Sequence, residues 1–409
     1  GALTEVHSML QRMNELAVQA ANGTNSKDTD RKAIQDEIDQ LNTEIDRVAE
    51  TTKFNEIYLL KGDDGEKTVN MKAHDAGLKG TLTDNGDGTA TFKMDTLNAG
   101  DTVSIGGKNY TIGGEAADVT DMLTKAGITD AAGDKVTING KEYTYCENAS
   151  DGKTALTHKG YYETAPDTAN AATANPAYAD SAAIAAAKSA TISVGTKSIT
   201  TIDDTKADGI DDNDTSVITK QKAYELAGKE LLAANQIGDT EGNAEVKNGD
   251  KSNLAFDAGD GTFNIKVGQA KVANTLSFSL HVGADADMTN KITVDIETMN
   301  SANLGIKGLN VTDKNGSAAT YAIDAISDAI SKVSSQRSAL GAVQNRLEHT
   351  IDNLDNISEN TSSAESRIRD TDMAKEMVNY SKNNILAQAG QSMLAQANQS
   401  NQGVLSLLQ

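Results

Sequence analysis

Few side chains in this sequence are of the types that carry out chemistry, and they are widely spaced. The single cysteine, Cys146, excludes an intrachain disulfide and a cysteine-based metal cluster, and it has no nearby histidine to activate it as a nucleophile. We interpret it as a strand residue. None of the five histidines belongs to the His-Glu-x-x-His pattern with which a helix binds zinc; they are His7, His74, His158, His281 and His349.

Two segments contain part of a ligand-binding motif. Residues 152–154 (Gly-Lys-Thr) match the end of a phosphate-binding loop, but Glu147 stands where that motif requires a glycine. The acidic run 211–214 lacks the glycine and the terminal glutamate of a calcium-binding loop, so we interpret it as a solvated turn, with a weak surface calcium site as the alternative. We therefore predict no catalytic, cofactor-binding or metal-binding residue and no enzymatic activity.

The charge of the chain narrows the range of partners. Its 409 residues include 59 acids and 37 bases, for a formal net charge of −22. Nucleic acids and anionic membrane surfaces attract basic proteins, so we predict that the chain binds neither. No apolar run approaches the ~18 residues that a membrane-spanning helix needs.

The first 60 residues predict two amphipathic helices. In the first, apolar residues recur at spacings of three and four until Asn22-Gly23 ends the helix. The second is capped by Asp28, Thr29 or Asp30. The apolar seam of the second helix is a heptad pattern. The seam of the first helix consists of Leu3, Val6, Leu10, Met13, Ala17 and Ala20. The seam of the second consists of Ile34, Ile38, Leu41, Ile45 and Val48.

A third helical pattern runs over residues 320–363. Its seam consists of Ile326, Ile330, Val333, Leu340, Leu347, Ile351 and Leu354. Because an isolated helix is only marginally stable in water, this seam needs partner helices, and the two N-terminal helices are the obvious ones. The pattern thus predicts a coiled-coil bundle that pairs the two ends of the chain.

From about residue 370 the sequence changes to an apolar pattern rich in small residues. Exposed leucines at a chain terminus are a liability unless something covers them. Two interpretations remain open: a helix that docks on its own domain, or a segment that becomes ordered only when subunits pack together. The large apolar residues concerned are Ile385, Leu386, Met393, Leu394, Val404, Leu405, Leu407 and Leu408.

The middle of the chain, residues 61–275, is rich in Gly, Asp and Thr and alternates with a period of two, which predicts β-structure. Residues 101–112 match 134–145, with Gly-Gly and Asn-Gly at the places where two-residue hairpin turns require positive φ. Residues 192–199 form a degraded third copy. A further hairpin is predicted from alternation over 278–282 and 292–296.

The two ends resemble the flagellins, the proteins of the bacterial flagellar filament. The resemblance covers roughly 1–60 and 276–409, while the middle resembles no family that we can name. It rests on residues 10–22 (LQRMNELAVQAAN), 45–55 (IDRVAETTKFN), 340–348 (LGAVQNRLE), 366–372 (SRIRDTD), 384–390 (NILAQAG), 395–399 (AQANQ) and 404–408 (VLSLL).

This resemblance implies an α+β fold: a long antiparallel helical coiled-coil rod from both chain ends with a β-hairpin, and one or two inserted β-rich variable domains. The implied domains are N-terminal rod helices (1–60), variable outer domains (61–275), the rod hairpin and C-terminal rod helix (276–369) and a filament-core helix (370–409). It also implies an extracellular filament subunit that is exported by the flagellar type III route. The implied partners are other flagellin subunits and an export chaperone on the C-terminal helix.

The family also has a further segment, including its N-terminal core helix, before the position of Leu3. Since the chain opens inside a helical pattern, we expect it to lack that segment. Without this partner helix, we expect the chain alone to be monomeric and not to polymerise.

The resemblance further implies recognition by a host Toll-like receptor. The contact residues of the family fall on Gln11, Arg12, Leu16, Glu37 and Arg346. Arg12 and Leu16 are four apart and share a helix face, which suits an arginine anchor beside an apolar contact. The alternative is an ordinary solvated arginine next to a leucine of the bundle.

Two other functions are alternatives. A hook–filament junction protein resembles flagellin in its helical ends, but the long Gly/Asp/Thr-rich insert argues against it. The second alternative is a flagellin that carries a hydrolase within residues 61–275.

Overall fold

The computed structural model describes residues 1–26, 29–248, 261–283, 290–313 and 315–407. It divides into two compact units, one formed by Gly1–Leu276 with Asp295–Arg337 and the other by Ser277–Val294 with Ser338–Gln409. Helices occupy both ends of the chain and a β-rich region lies between them in sequence, so the predicted mixture of helix and sheet is confirmed.

The first two helices bury most of the stripes that their sequences predict, with Leu3 and Leu41 half-buried. In α1 (Ala2–Ala21) and α2 (Asp30–Thr51) the two stripes are covered because the helices pack against each other. Each large aliphatic side chain that is fully buried contributes about 1.5–3 kcal/mol. The buried residues are Val6, Leu10, Met13, Leu16, Ala17 and Ala20 in α1, and Ile34, Ile38, Ile45, Val48 and Ala49 in α2.

The third long helix, α6 (Ser317–Leu407), continues without interruption past residue 363, where the sequence interpretation ended it. The chain has no proline after Pro176, and the isolated glycines of α6 each cost only about 1 kcal/mol, so nothing in this sequence stops the helix. Within the first unit one row of its buried residues follows alternate spacings of three and four (Ala319, Ala322, Ile326, Ala329 and Val333), and Tyr321 and Ala325 are buried beside it.

Arg31 fastens the end of α1 to the segment that leads into α6. Its side chain is 1% exposed, and its guanidinium donates to the carbonyls of Ala20 (2.8 Å), Asn22 (3.1 Å) and Asp313 (3.1 Å). Carbonyls in the last turn of a helix have no partner within the helix, and a cation there is also favoured by the helix dipole. Next to Arg31, Gly316 has φ of +82°, and a Cβ at this position would lie 2.8 Å from the carbonyl oxygen of Ala21.

The second unit contains most of a two-stranded sheet and the remainder of α6. Strands β17 (Leu276–His281) and β18 (Lys291–Ile296) pair as the alternating pattern predicts, although residues 284–289 of their connection lie outside the described part of the chain. In this stretch of α6, Leu340, Leu347 and Leu354 are half-buried and Ile351 is 56% exposed.

Between α2 and β17, the described residues (52–248 and 261–275) form three helices and sixteen strands. Their bounds are β1 (Lys53–Phe54), β2 (Ile57–Tyr58), β3 (Asp63–Asn70), β4 (Gly80–Asp84), β5 (Thr89–Met94), β6 (Thr102–Ile105), β7 (Lys108–Ile112), α3 (Ala116–Lys125), β8 (Lys135–Ile138), β9 (Lys141–Asn148), β10 (Ala155–Tyr162), α4 (Ser181–Ala185), β11 (Thr191–Val194), β12 (Lys197–Thr200), β13 (Val217–Ile218), α5 (Lys220–Asn235), β14 (Glu245–Asn248), β15 (Thr262–Lys266) and β16 (Gln269–Asn274).

Two large hydrophobic cores organise the described part of this insert. One lies between α5 and the sheet of order β14-β15-β5-β4, and it includes Phe92, Phe263 and Tyr224. The other lies between α3 and the sheet of order β10-β9-β8-β11-β12, and it includes Val119 and Ile192. The sheet β13-β7-β6 contributes Val103, Ile105, Ile112 and Ile218 to the first core.

The repeated segments form the hairpins that their turns predict. Strands β6 and β7, β8 and β9, and β11 and β12 pair antiparallel in the same register, with Ile105 opposite Lys108, Ile138 opposite Lys141 and Val194 opposite Lys197. Gly106-Gly107 and Asn139-Gly140 have positive φ at both positions, as the predicted two-residue turns require.

The carbonyl contacts of Arg31 lead to a stability prediction. Replacing it by methionine (Arg31→Met) removes donors from three backbone carbonyls, each of which costs about 1–3 kcal/mol when it is left unsatisfied. We therefore expect the free energy of unfolding to fall by about 3 kcal/mol or more, measured by urea unfolding followed by circular dichroism. Lys32→Met, which removes an exposed ammonium paired with Asp36, serves as the matched control and should change the transition little.

Candidate functional surfaces

The residues for which receptor contact is predicted include one exposed ion pair. The Arg12 Nε atom lies 2.9 Å from Glu37 Oε1 on α2, and Nη1 lies 3.3 Å from Glu15 Oε2, one turn along α1. Hydrogen bonds to Glu37 and then to Glu15 raise the pKa of Arg12, so it remains charged. The two carboxylates hold the guanidinium in place. It is still accessible, because about half of the Arg12 side chain is exposed.

The other residues predicted to contact the receptor differ in their exposure. Gln11 is exposed beside Arg12, but Leu16 is 2% exposed and belongs to the core that α1 shares with α2. The exposed patch therefore consists of Gln11, Arg12 and Glu37. Arg346 is exposed on α6 in the second unit, where its carbonyl accepts the Thr350 hydroxyl at 2.8 Å.

The last part of α6 presents large apolar side chains to solvent. Six of the residues predicted for filament-core assembly are between 58% and 70% exposed: Ile385, Leu386, Met393, Leu394, Val404 and Leu405. Leu408 lies outside the described residues, and so does the side chain of Leu407. Single exposed apolar residues are common on proteins, but a series of pairs along one helix indicates a surface that contacts something else.

Two features of this helix favour packing against other helices. At about 100° per residue, Leu386, Met393 and Val404 fall within about 20° of one another and form one row. No Asp, Glu, Lys, Arg or His follows Lys382. Another helix can therefore approach from any side without meeting a charge. We call the row formed by Leu386, Met393 and Val404 the tail row.

The acidic loop of the insert is organised around a buried carboxylate. Asp211 is 2% exposed and accepts hydrogen bonds from the Ser189 hydroxyl and from the backbone N–H groups of Asp203, Asn213 and Asp214. Burial opposes ionisation of Asp211, but these donors outweigh it and the pKa of Asp211 is lowered. The run is thus a turn held by its own side chains.

The remaining motifs do not assemble a site for chemistry. Cys146 is nearly buried in β9, where burial raises the pKa of the thiol and disfavours the reactive thiolate. In the Gly-Lys-Thr segment, the backbone N–H groups of Lys153 and Thr154 donate to the Asp151 carboxylate at 2.9 Å and are already engaged.

Within the described ranges, no group of three or more His, Cys, Asp and Glu side chains is arranged to hold a metal ion. In that same part of the chain, every helix is either too short or too polar to cross a membrane.

Comparison with known proteins identifies the class to which the two helical ends belong, namely the structural proteins of the bacterial flagellar filament. The model of the bacterial flagellin N-terminal helical region matches residues 1–64, and that of the bacterial flagellin C-terminal helical region matches residues 323–408.

Relatives extend this match over the whole chain. A flagellin of Clostridium tyrobutyricum is 35% identical over 407 residues, which is 98% of this chain and 80% of that protein. Polar flagellin A of Vibrio parahaemolyticus is 30% identical over 410 residues, covering 100% of this chain and 79% of that one. The chain belongs to the flagellin family, and it is a structural subunit of the extracellular flagellar filament.

A match over a smaller part of the chain has a higher identity. A flagellin of Bacillus subtilis is 50% identical over 169 residues, but these cover 36% of this chain and 54% of that one. The solved structure of FliC from Burkholderia pseudomallei aligns over 84% of this chain and 95% of that one with 15% identity and a TM-score of 0.27, a likeness too loose to bear on the fold.

The acidic loop should make the insert sensitive to acid. The pKa of Asp211 and Asp214 is lowered, and hydrogen bonds from Lys206 and Thr205 lower the pKa of Asp212 to about 2. A carboxylate with a lowered pKa stabilises the fold above its unfolded pKa of ~3.9, and this stabilisation is lost as the pH falls through the folded value. We therefore expect the loop to lose protection from hydrogen exchange between about pH 4 and about pH 2.

The matched variants are Asp211→Asn and Asp95→Asn, the second at an exposed position of the insert. Asp211→Asn should weaken protection of the loop already at neutral pH and flatten its acid dependence, whereas Asp95→Asn should follow the wild type. A loop that stays equally protected at pH 5 and at about pH 2 in the wild-type chain would contradict this account.

Proposed function

We propose that this filament subunit assembles through α6, whose later part packs in a coiled coil with other helices and buries the tail row. The observation that carries the proposal is the exposure of large apolar side chains on a stretch of helix without charge. An isolated helix with such a surface is unfavourable in water, and burial of each large aliphatic side chain would stabilise a contact by about 1.5–3 kcal/mol.

The same argument applies to the earlier part of α6, for which a coiled-coil rod is predicted. The half-buried leucines at 340, 347 and 354 recur at intervals of seven, which is the spacing of a coiled-coil seam. We infer that in the filament this seam and the tail row are covered by helices, some of which belong to neighbouring subunits. The competing interpretation is that the tail docks on its own chain.

A charge placed on the tail row tests this proposal. We expect Met393→Glu to prevent filament formation in the bacterium that produces the protein, because burying an unpaired carboxylate between helices is costly. Gln388→Glu places the same charge about 140° away from Met393 around the same helix and should leave filaments intact. Electron microscopy of cells counts the filaments, and circular dichroism of both purified variants checks that helix content is unchanged.

Normal filaments from cells with Met393→Glu would refute burial of the tail row. If both variants lost filaments equally, assembly would depend on the absence of charge in general rather than on this row. Sedimentation velocity of the purified wild-type chain distinguishes a tail that docks on its own chain from one that stays exposed. A docked tail makes the subunit more compact, so it should sediment faster than a subunit with an extended tail.

We also propose that a flagellar export chaperone covers the tail row before assembly, and that the subunit leaves the cell by the flagellar type III route. The support is again the exposed apolar surface, which would cause aggregation inside the cell unless it were covered. Met393→Glu should then weaken chaperone binding, measured by calorimetry with the purified chaperone, whereas Gln388→Glu should not. Equal binding by both variants would place the chaperone elsewhere.

A second proposed role is recognition by the host Toll-like receptor through Gln11, Arg12 and Glu37 in the first unit, and separately through Arg346 in the second unit. The observation in favour is that the Arg12 guanidinium is exposed but held in a single orientation by two carboxylates. An arginine that is already ordered loses little conformational freedom on binding, and arginine is frequent among the residues that dominate interface energies.

The receptor role is tested with two arginines in similar settings. Arg12→Ala should lower receptor affinity by at least about tenfold in a binding assay with the purified ectodomain. Arg47→Ala removes an equally exposed arginine that pairs with Glu44 on α2, and it should leave affinity unchanged. Neither variant should shift the urea transition, because exposed ion pairs contribute little to stability. Unchanged affinity for Arg12→Ala would reject this role.

A further inference from the structure

A lysine, an asparagine and a glutamate meet where α6 packs on the turn that follows β18. The Lys332 Nζ atom donates to the Asn303 carbonyl at 2.8 Å and to Asn303 Oδ1 at 3.0 Å. The Glu297 Oε2 atom lies 3.8 Å from the same Nζ. A primary amine thus touches a carboxamide, with a carboxylate beside them.

The three residues are held in these positions by contacts on each side. Asn303 is 2% exposed, and its amide nitrogen donates to the Thr298 carbonyl at 2.5 Å. One turn along α6 from Lys332, the Gln336 amide donates to the carbonyl of Asp295 at 3.0 Å and its Oε1 accepts the backbone N–H of Glu297 at 3.5 Å. Groups fixed in contact react far faster than the same groups free in solution.

The lowered pKa of the lysine also favours reaction. Burial lowers the pKa of Lys332, Glu297 opposes this effect, and the nearby Lys67 adds to it, so that the net change is downward. A lowered pKa increases the fraction of neutral amine, which is the nucleophilic form. Lys67 Nζ lies 3.7 Å from the other oxygen of Glu297, so the carboxylate has a cationic neighbour on each side.

We propose that Lys332 and Asn303 form an intramolecular isopeptide cross-link, with Glu297 as the group that carries the protons. Glu297 accepts a proton from the Lys332 ammonium, and the freed lone pair attacks Asn303 Cγ. The bond between Cγ and Nδ2 then breaks as the carbonyl re-forms. The two protons that Nζ loses pass by way of Glu297 to the leaving nitrogen, which departs as ammonium. No oxidant, metal or cofactor is required.

Such a bond would tie α6 covalently to the turn that contains Asn303. The two segments are at present joined here by hydrogen bonds, which yield under sustained load. In a filament subunit, a cross-link at this place would keep the helix attached to the turn when force is applied along the helix.

Mass spectrometry of the full, purified chain tests the proposal directly. After prolonged incubation at neutral pH, we expect the intact mass to be lower than the sequence mass by one ammonia. Trypsin should fail to cleave after Lys332, and peptide 292–307 should be recovered joined to peptide 315–337. Lys332→Arg and Glu297→Gln should both have the full sequence mass, whereas Lys307→Arg, an exposed position near the turn, should still lose one ammonia.

The outcomes separate cleanly. A wild-type chain with its full sequence mass and complete cleavage after Lys332 overturns the cross-link. Loss of ammonia that persists in Glu297→Gln overturns the role of the glutamate, and loss that persists in Lys332→Arg assigns the reaction to another residue. Because the wild-type measurement decides the main question, a variant that fails to fold does not leave it open.

Discussion

An apolar stripe on a helix has to be covered, and this requirement organises the whole chain. In the first unit it is met internally, since α1 and α2 cover each other and the start of α6 buries residues at spacings of three and four. Beyond Arg337 the stripe continues, but its leucines at 340, 347 and 354 are only half-buried, and from Ile385 onward the large apolar side chains are mostly exposed. In the assembly that we propose, the packing of this exposed surface is completed by helices in the filament.

Much of this could be predicted from sequence because the signals are local. The stripes of α1 and α2 follow the helical period, and two of the three hairpins follow from Gly-Gly and Asn-Gly at positions that need positive φ. The order of strands in each sheet, such as β10-β9-β8-β11-β12, depends on contacts between distant segments and has no local signal. The full length of α6 has no signal in the sequence pattern, because the composition changes near residue 370 as it does at a boundary, although no residue there breaks the helix.

The candidate surfaces show the same limit. The spacing of Arg12 and Leu16 correctly places them near one face of α1, but it does not say which of them the neighbouring helix covers, and the structure buries Leu16. Arg31 gives no sign in the sequence of its role, because its side chain reaches carbonyls at the end of another helix and at Asp313. The pairing of Arg12 with Glu37 likewise joins two helices and appears only in the fold.

The absence of charge beyond Lys382 has a consequence for where such a filament can work. A contact made without ionisable groups has no attraction for salt to screen and no proton to gain or lose, so its strength stays nearly constant from dilute to concentrated media. The insert is different, because its aspartate-rich turns depend on ionised carboxylates. If the tail row is the attachment that we propose, its contact is insensitive to salt and pH, whereas the insert responds to acid.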